Sequence, residues 1–268
     1  MKFISIRSFS RNVLKVFAAN GIQPLLAVRL LTHLPRFISE VFRFNQLCSD
    51  HDKHIEFSFY PILSDYNDNS GFAKGHYFWQ DLIVAQRVFA SQPLNHLDVG
   101  SRIDGFVAHI ATFMPLDVLD IRPLSTYIPN VTFKCGSLLS YSTRHSYSSI
   151  SCLHVLEHIG LGRYSDPING KSFYDGLNSL FDLLELGGNL YISFPVGKPA
   201  IYFNAHRVLS LPSVLNYIQD TLQPSSLELI GFINDEGSLV DTKDHDPDYF
   251  CNLSSNSLYA CVVLQIQK

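Results

Sequence analysis

The feature that most constrains the fold is an alternation of helical and strand patterns that begins at residue 76. Apolar residues recur at helical spacing in four segments, 76–90, 105–113, 172–186 and 212–222. Short apolar segments typical of strands lie at 95–100, 116–121, 131–138, 148–155, 189–197, 226–237 and 257–268. This alternation predicts an α/β domain with a mostly parallel sheet and helices on both faces. The 268 residues, 46% of them hydrophobic, can bury one substantial core.

The N-terminal part of the chain has a different character. Residues 1–46 carry seven Lys and Arg residues against one Glu, a net charge of +6 in a chain whose net charge is −4. Turn-forming residues cluster in SDYNDNSGFAKG, residues 64–75, and predict a linker. We therefore expect a helical basic extension at 1–63, the linker, and the α/β domain at 76–268.

Charge and cysteine usage limit the location and the partners. The pI of about 6.2 argues against a nucleic-acid partner. Basic residues interrupt the apolar runs of the extension, so no run can span a membrane, and no signal-peptide cleavage site follows them. Five scattered cysteines without a C-x-x-C pair predict reduced thiols in a cytoplasmic protein. Residues 1–46 have two open interpretations: helices that cover the main domain, or peripheral contact with the inner membrane face or a protein.

The turn after strand 95–100 is the expected ligand site, because ligands bind outside the carboxyl ends of parallel strands. In HLDVGSRIDGF, the three glycine positions of G-x-G-x-x-G hold Gly100, Arg102 and Gly105. Arg102 would crowd a pyrophosphate, and no Y-x-x-x-K pair is identifiable, so the sequence disfavours a Rossmann enzyme that modifies nucleotide sugars with NAD. Asp120 ends the next strand, 20 residues after Gly100, where an acid can accept hydrogen bonds from ribose hydroxyls.

A run of motifs extends this pattern. LDVGS, VLDI, VTFKCGSL, SSISCLHVLEH and LELGGNLYISFPVG follow in the order and spacing of class I S-adenosylmethionine (SAM)-dependent methyltransferases, which residues 95–197 therefore resemble. The resemblance implies a Rossmann-like sheet of seven strands with the last strand antiparallel, and SAM as cofactor. It also implies cofactor contacts from Asp98, Gly100, Ser101, Arg102, Gly105, Asp120, Ile121, Ser137 and Leu138.

Two of these positions depart from the superfamily pattern. Arg102 replaces a usual glycine, which can bring a cation to the methionine carboxylate of the cofactor. Ser137 stands where an Asp commonly contacts the adenine amino group, which suggests weaker selection of adenine. A degenerate cofactor pocket is the alternative explanation of both departures.

A second resemblance covers residues 75–240. GHYFWQDL, HLDVGSRIDGFVAHI, LDIRPLS, HVLEHIGLGRYSDPI and FNAHRVLS resemble a branch of the superfamily that has no assigned activity and is associated with bacterial surface-polysaccharide loci. This implies O-methylation of a sugar or glycan intermediate of a cell-surface polysaccharide. The alternative is a non-catalytic SAM-fold scaffold in a glycan-assembly complex. Arg163 and Arg207 suit an anionic acceptor, because guanidinium matches phosphate and carboxylate geometry.

The segment HVLEH has two interpretations. His154, Glu157 and His158 have the H-x-x-E-H spacing of one class of zinc peptidase, which requires a continuous helix. The strand pattern before His154 and the glycines and proline that follow disfavour that helix. We therefore expect His154 at a strand tip and Glu157 and His158 on an active-site turn.

The catalytic chemistry of this turn also has two interpretations. A histidine near neutral pKa can remove the proton of an acceptor hydroxyl, and His206 is a further candidate to reach the acceptor. The segment also resembles the ubiquinone-pathway O-methyltransferases, whose acid-x-x-Glu-His segment holds a divalent ion. Here His154, Glu157 and His158 would be the ligands, a set that suits zinc, iron or manganese better than magnesium.

Overall fold

A computed structural model describes residues 24–47, 56–66, 69–164, 166–243 and 245–268, which divide into the units Met1–Phe72 and Ala73–Lys268. The first unit contains helix α1 (Pro24–Leu47), in which Arg36 Nε donates to Glu40 Oε1 at 2.8 Å. No helix among the described residues is long and apolar enough to cross a membrane. The first 23 residues of the predicted basic extension lie outside the described residues.

The second unit alternates strands and helices. Its helices are α2 (His76–Ser91), α3 (Ala108–Ala111), α4 (Ser172–Leu183), α5 (Leu211–Tyr217) and α6 (Pro247–Asn256). Its strands are β1 (His96–Val99), β2 (Leu116–Asp120), β3 (Val131–Cys135), β4 (Tyr147–Leu153), β5 (Leu184–Val196), β6 (Ala200–Tyr202), β7 (His206–Val208), β8 (Ser226–Ile233), β9 (Leu239–Val240) and β10 (Ala260–Gln267).

Eight strands form the main sheet, in the order β3-β2-β1-β4-β5-β10-β8-β9. Strands β1 to β5 pair in parallel, whereas β10 is antiparallel to both β5 and β8. The predicted α/β class and the antiparallel terminal strand are confirmed. The predicted number of seven strands is wrong, because the two-residue strand β9 adds an antiparallel edge to β8.

Four local features differ from the sequence pattern. Helix α4 ends at Leu183 instead of before Gly187, because Leu184 already pairs with Tyr147 of β4. The hairpin of β6 and β7 and helix α6 were not predicted. The predicted helix 105–113 starts as a π-type turn, Ile103–Val107, in which Gly105 has a non-helical backbone (φ −121°, ψ −110°).

Apolar layers on both faces of the sheet hold it in place. On one face, Leu177 and Leu180 of α4 are fully buried against the strands, and on the other Val84 and Val88 of α2 are fully buried. Six of the seven residues of β4 are buried, as expected of a central strand covered on both faces. The order of the strands reverses between β1 and β4, so a cleft forms at the carboxyl ends of these two strands.

Candidate active site at the carboxyl ends of the parallel strands

A pocket occupies this cleft. Residues that follow four neighbouring strands line it, together with the first turn of α2. The lining includes Tyr77, Gln80, Gly100, Arg102, Asp120, Ile121, Arg122, Ser137, Leu138, His154, His158 and Arg163. Six of the nine predicted cofactor residues are thus on the wall, while Asp98, Ser101 and Gly105 are behind it.

The loop after β1 is shaped by a buried carboxylate. Asp98 is fully buried and accepts hydrogen bonds from the Ser101 amide at 3.1 Å, the Ser101 hydroxyl at 2.7 Å and the Ser151 hydroxyl at 2.6 Å. Burial raises its pKa to about 6, although these hydrogen bonds lower it. Gly100 has a φ of +70°, and a Cβ there would lie 3.0 Å from both methyl groups of Val155. The Asp98 carboxylate therefore holds the turn that presents Gly100 to the pocket.

Arg102 and Gly105 complete this loop. The Arg102 guanidinium pairs with Asp104 (Nη2 to Oδ2, 2.7 Å) and lies 5.6 Å from the centre of the Tyr77 ring. It remains exposed at the pocket wall, where the cofactor carboxylate was expected. Gly105 allows the loop to pack closely against α2, because a Cβ at this position would lie 2.7 Å from the Asp81 carboxylate.

The end of β2 carries a paired acid. Arg122 donates to both carboxylate oxygens of Asp120, from Nε to Oδ1 at 3.0 Å and from Nη2 to Oδ2 at 2.5 Å. Ile121 follows on the wall, and Ser137 and Leu138 line the side that follows β3. A ribose that binds Asp120 therefore competes with Arg122 for this carboxylate.

The HVLEH segment lies on a turn, as its flanking residues predicted. β4 ends at Leu153, and His154 adopts a left-handed backbone with φ +55°. The chain then turns, with the His158 amide donating to the Val155 carbonyl at 2.9 Å. No continuous helix carries both histidines, so the zinc-peptidase interpretation is excluded.

His154 forms a buried pair with Glu157. Its Nδ1 lies 2.6 Å from Glu157 Oε1, and both side chains are buried. Burial opposes a charge on His154, but the Cys261 sulfur and the Glu157 carboxylate outweigh it and raise the pKa of His154 well above its ordinary value. The other oxygen of Glu157, Oε2, is buried without a hydrogen-bond partner.

His158 is the imidazole better placed to exchange a proton with a ligand. Its Nδ1 lies 2.6 Å from the Ala205 carbonyl, which can only accept, and 3.3 Å from Arg163 Nη1, which can only donate. The shorter contact assigns the hydrogen to Nδ1 and leaves Nε2 with a free lone pair. Burial lowers the pKa of His158, and the nearby Arg163 acts in the same direction. Glu157 Oε1 lies 3.7 Å from His158 Nε2. His158 is therefore neutral near pH 7 and beside a carboxylate that can stabilise its protonated form.

His206 and Arg207 lie near the pocket but do not line it. The His206 ring packs against Tyr202 and Tyr259 with centroid distances of 5.0 Å, and it does not line the pocket. Arg207 was expected to suit an anionic acceptor, but it is buried and donates to backbone carbonyls, including that of Ile159 at 2.6 Å. It braces the turn, whereas Arg163 is exposed on the pocket wall.

The structure adds neighbours that the sequence did not indicate. Within the described residues, three potential metal ligands lie together, and they are His76, His154 and Cys261. The predicted set of His154, Glu157 and His158 is arranged differently, because His154 Nδ1 is hydrogen-bonded to the carboxylate itself. His76 begins α2 and Cys261 lies in β10, so no local spacing in the sequence connects them with His154.

Comparison with known proteins supports the fold. Residues 137–214 match a family described as "Caenorhabditis protein of unknown function, DUF268". No curated protein matches the sequence. Among solved structures, a phosphoethanolamine N-methyltransferase from Haemonchus contortus is similar at 11% identity, with 75% of this chain and 55% of that protein covered and a TM-score of 0.50.

Two bacterial structures are also similar. The N-methyltransferase NodS from Bradyrhizobium japonicum, in complex with S-adenosylhomocysteine, has 14% identity, coverage of 72% and 88% and a TM-score of 0.46. A SAM-dependent methyltransferase from Clostridium acetobutylicum has 9% identity, coverage of 71% and 91% and a TM-score of 0.47. At 11% identity and a TM-score of 0.50, the similarity to the Haemonchus contortus structure shows the fold alone. The described α/β unit has the Rossmann-like fold of class I SAM-dependent methyltransferases, with eight strands in its main sheet.

Proposed function

We propose that this protein is a SAM-dependent methyltransferase that methylates a hydroxyl group of a sugar or glycan intermediate in cell-surface polysaccharide biosynthesis. One observation carries the proposal: Gly100 and Asp120, which suit the cofactor, share a pocket with the neutral imidazole of His158. The polysaccharide context rests on the sequence resemblance of residues 75–240. Arg163 on the pocket wall suits an acceptor that carries phosphate or carboxylate.

The residues of the pocket fit SAM. Gly100 is on the pocket wall, and its lack of a side chain keeps the loop after β1 clear of Val155. The Asp120 carboxylate can accept from both ribose hydroxyls once Arg122 turns away, and Ile121 and Leu138 offer apolar contacts to the adenine. When bound, SAM supplies an electrophilic methyl group on a sulfonium, which is already a good leaving group.

The protein must then align the acceptor and remove one proton. His158 Nε2 accepts the hydroxyl proton, while its Nδ1–H stays fixed on the Ala205 carbonyl. The Glu157 carboxylate stabilises the imidazolium that forms, because its Oε1 lies 3.7 Å from Nε2. Such proton removal contributes typically about 10²–10⁴-fold to a rate. The Glu157 carboxylate is in turn held in place by its contact with His154 Nδ1, so His154 acts on His158 through Glu157.

Titration calorimetry of the full chain with SAM, S-adenosylhomocysteine and NAD tests the cofactor. We expect binding of the first two and none of NAD. Asp120→Ala should lose a charge-assisted ribose contact of about 1.5–3 kcal/mol, which lowers the SAM affinity roughly 10- to 150-fold. Asp182→Ala, on the exposed side of α4, is the matched control and should bind like the parent.

One observation favours a second candidate, the non-catalytic scaffold. Both charged groups expected to face the cofactor are already paired, Asp120 with Arg122 and Arg102 with Asp104. A folded protein that binds neither SAM nor S-adenosylhomocysteine would contradict the enzyme and leave the scaffold in its place.

A further inference from the structure

Three side chains from distant parts of the chain meet beside the pocket. His76 is the first residue of α2, His154 follows β4, and Cys261 is the second residue of β10. Their potential ligand atoms all lie within 4.8 Å of one another, and His76 Nδ1 is 3.1 Å from His154 Nε2. Cys261 is fully buried, and His154 is buried.

The outer nitrogen of His154 has an acceptor. His154 Nδ1 faces the Glu157 carboxylate at 2.6 Å. If this nitrogen donates, His154 Nε2 is a lone pair that faces His76 Nδ1 at 3.1 Å, and a proton or a cation can lie between the two nitrogens. An outer N–H fixed by a carboxylate or a backbone carbonyl is the usual state of metal-ligating histidines.

We propose that His76 Nδ1, His154 Nε2 and the Cys261 thiolate bind a zinc ion. Zn–N bonds of about 2.0–2.1 Å in tetrahedral geometry place two nitrogens about 3.3 Å apart, close to the 3.1 Å observed here. Nitrogen and sulfur ligands suit zinc and disfavour magnesium and calcium, which prefer oxygen. The site is distinct from the set His154, Glu157 and His158, in which the carboxylate would be a ligand.

The charges balance in this arrangement. The ion carries +2, the Cys261 thiolate −1 and the Glu157 carboxylate −1, so a buried group of zero net charge results. Zinc binding releases the Cys261 thiol proton and the proton shared by the two imidazoles, and no other bond changes. Without metal, the shared proton balances the buried Glu157 carboxylate, and the zinc ion takes over that role through His154.

The ligands are held in place before any ion binds. The Gly75 amide donates to the Gly237 carbonyl at 2.7 Å and fixes the start of α2, where a Cβ on Gly237 would lie 2.9 Å from the Gly75 nitrogen. The Asp235 carboxylate accepts from the Tyr259 amide at 2.9 Å, which fixes the chain just before Cys261. The Tyr259 ring stacks on His76 with a centroid distance of 5.2 Å. A zinc ion here would tie α2, β4 and β10 together beneath the turn that carries His158.

Metal titration of the full chain tests the site. After removal of metal with a chelator, Co²⁺ is added as a spectroscopic substitute for zinc, followed by competition with Zn²⁺. We expect one cobalt per chain, with an absorption band from thiolate-to-cobalt charge transfer that zinc abolishes. Glu157→Gln should lower the metal affinity about 10- to 100-fold, because it weakens the carboxylate contact to His154. His76→Ala and Cys261→Ala should lower it further.

Cys152→Ala is the matched control, because Cys152 is a fully buried thiol in β4 that is not in the cluster. It should retain both the stoichiometry and the charge-transfer band. Circular dichroism of each variant confirms folding, and His76, only half-buried at a helix start, can be replaced with little effect on the core. The proposal is overturned if the parent protein does not bind stoichiometric cobalt, or if Cys261→Ala binds cobalt as well as Cys152→Ala does. In that case a shared proton lies between the two imidazoles.

Discussion

At the scale of single residues, the ion pair of Asp120 and Arg122 should set the affinity for SAM. Arg122 occupies both carboxylate oxygens of Asp120, and its side chain is 53% exposed. The Asp120 side chain is only 10% exposed, so the pair is worth at least the about 0.2–1 kcal/mol of an exposed ion pair. Arg122→Ala should therefore raise SAM affinity at least about 1.4- to 5-fold, because no pair must be broken. Titration calorimetry measures this change. A large loss of affinity would mean that Arg122 itself binds the cofactor.

His158 should be needed for turnover and not for cofactor binding. His158→Ala removes an imidazole of the pocket wall together with its Nε2 lone pair, so methyl transfer should fall by about 10²–10⁴-fold. SAM affinity should stay within about twofold. S-adenosylhomocysteine formed with a nucleotide-sugar acceptor reports the rate, and His145→Ala, on an exposed loop, is the control. Equal rates for parent and His158→Ala would place the base elsewhere.

The candidate site could be predicted from sequence only where its residues share a motif. Gly100, Asp120, Ser137 and His154 end or follow strands whose apolar patterns are clear, so their meeting at one sheet edge follows from the topology. His76 lies far from those motifs in sequence, and its contact with His154 depends on how α2 packs. The burial of Asp98 could not be predicted either, because one of its hydrogen-bond donors is the hydroxyl of Ser151, which lies on a neighbouring strand.

At the scale of elements, the pattern of apolar residues predicted the central strands well but predicted the short hairpin and the end of α4 poorly. The central strands are covered on both faces, so their runs are almost wholly apolar and easy to recognise. The hairpin Ala200–Tyr202 and His206–Val208 has only three residues in each strand, too few to show a period. Helix α4 ends early because pairing of Leu184 with Tyr147 prevails over helical periodicity.

Helix α1 supports a prediction of its own. Leu31, Leu34, Ile38 and Phe42 recur at helical spacing on one face, and all four are between 38% and 69% exposed. Together with the net charge of +6 over residues 1–46, this face suits an anionic lipid surface. We expect co-sedimentation with anionic vesicles, weaker in Phe42→Glu and unchanged in Leu94→Glu, a control at an exposed leucine of the second unit.

Salt tests the electrostatic part of that attachment. The Debye length falls from about 10 Å at 0.1 M to about 3 Å at 1 M salt, so binding should weaken strongly over this range. Binding that is as strong at 1 M salt, or on vesicles without anionic lipid, would argue against a contribution from the basic residues. A protein that never sediments with vesicles would instead support helices that pack on protein.

At the scale of the whole molecule, two buried groups of β1 make opposite contributions to the pH dependence of stability. His96 is buried between the hydroxyls of Ser149 and Ser151, and burial lowers its pKa from 6.5 to about 3. Between pH 6.5 and about 3, His96 therefore binds a proton in the unfolded chain but not in the folded chain. The free energy of unfolding consequently falls as the pH falls from 6.5 to about 3. Burial raises the pKa of Asp98 from 3.8 to about 6, so this group adds stability as the pH falls from about 6 to 3.8.

The two contributions offset each other between about pH 6 and 3.8, each with a slope of about 1.4 kcal/mol per pH unit. His96→Asn removes one of them, so its free energy of unfolding relative to the parent should rise as the pH falls through this window. Asp98→Asn should show the opposite slope.

Urea unfolding at several pH values between 7 and 4 measures both slopes, and subtraction of the parent profile removes the contributions of the groups that the proteins share. Because only the slopes are compared, a uniform loss of stability in either variant does not affect the result. Parallel profiles for the parent and His96→Asn would show that His96 is protonated in the folded protein, and that the hydroxyls of β4 accept from an imidazolium instead of a neutral ring.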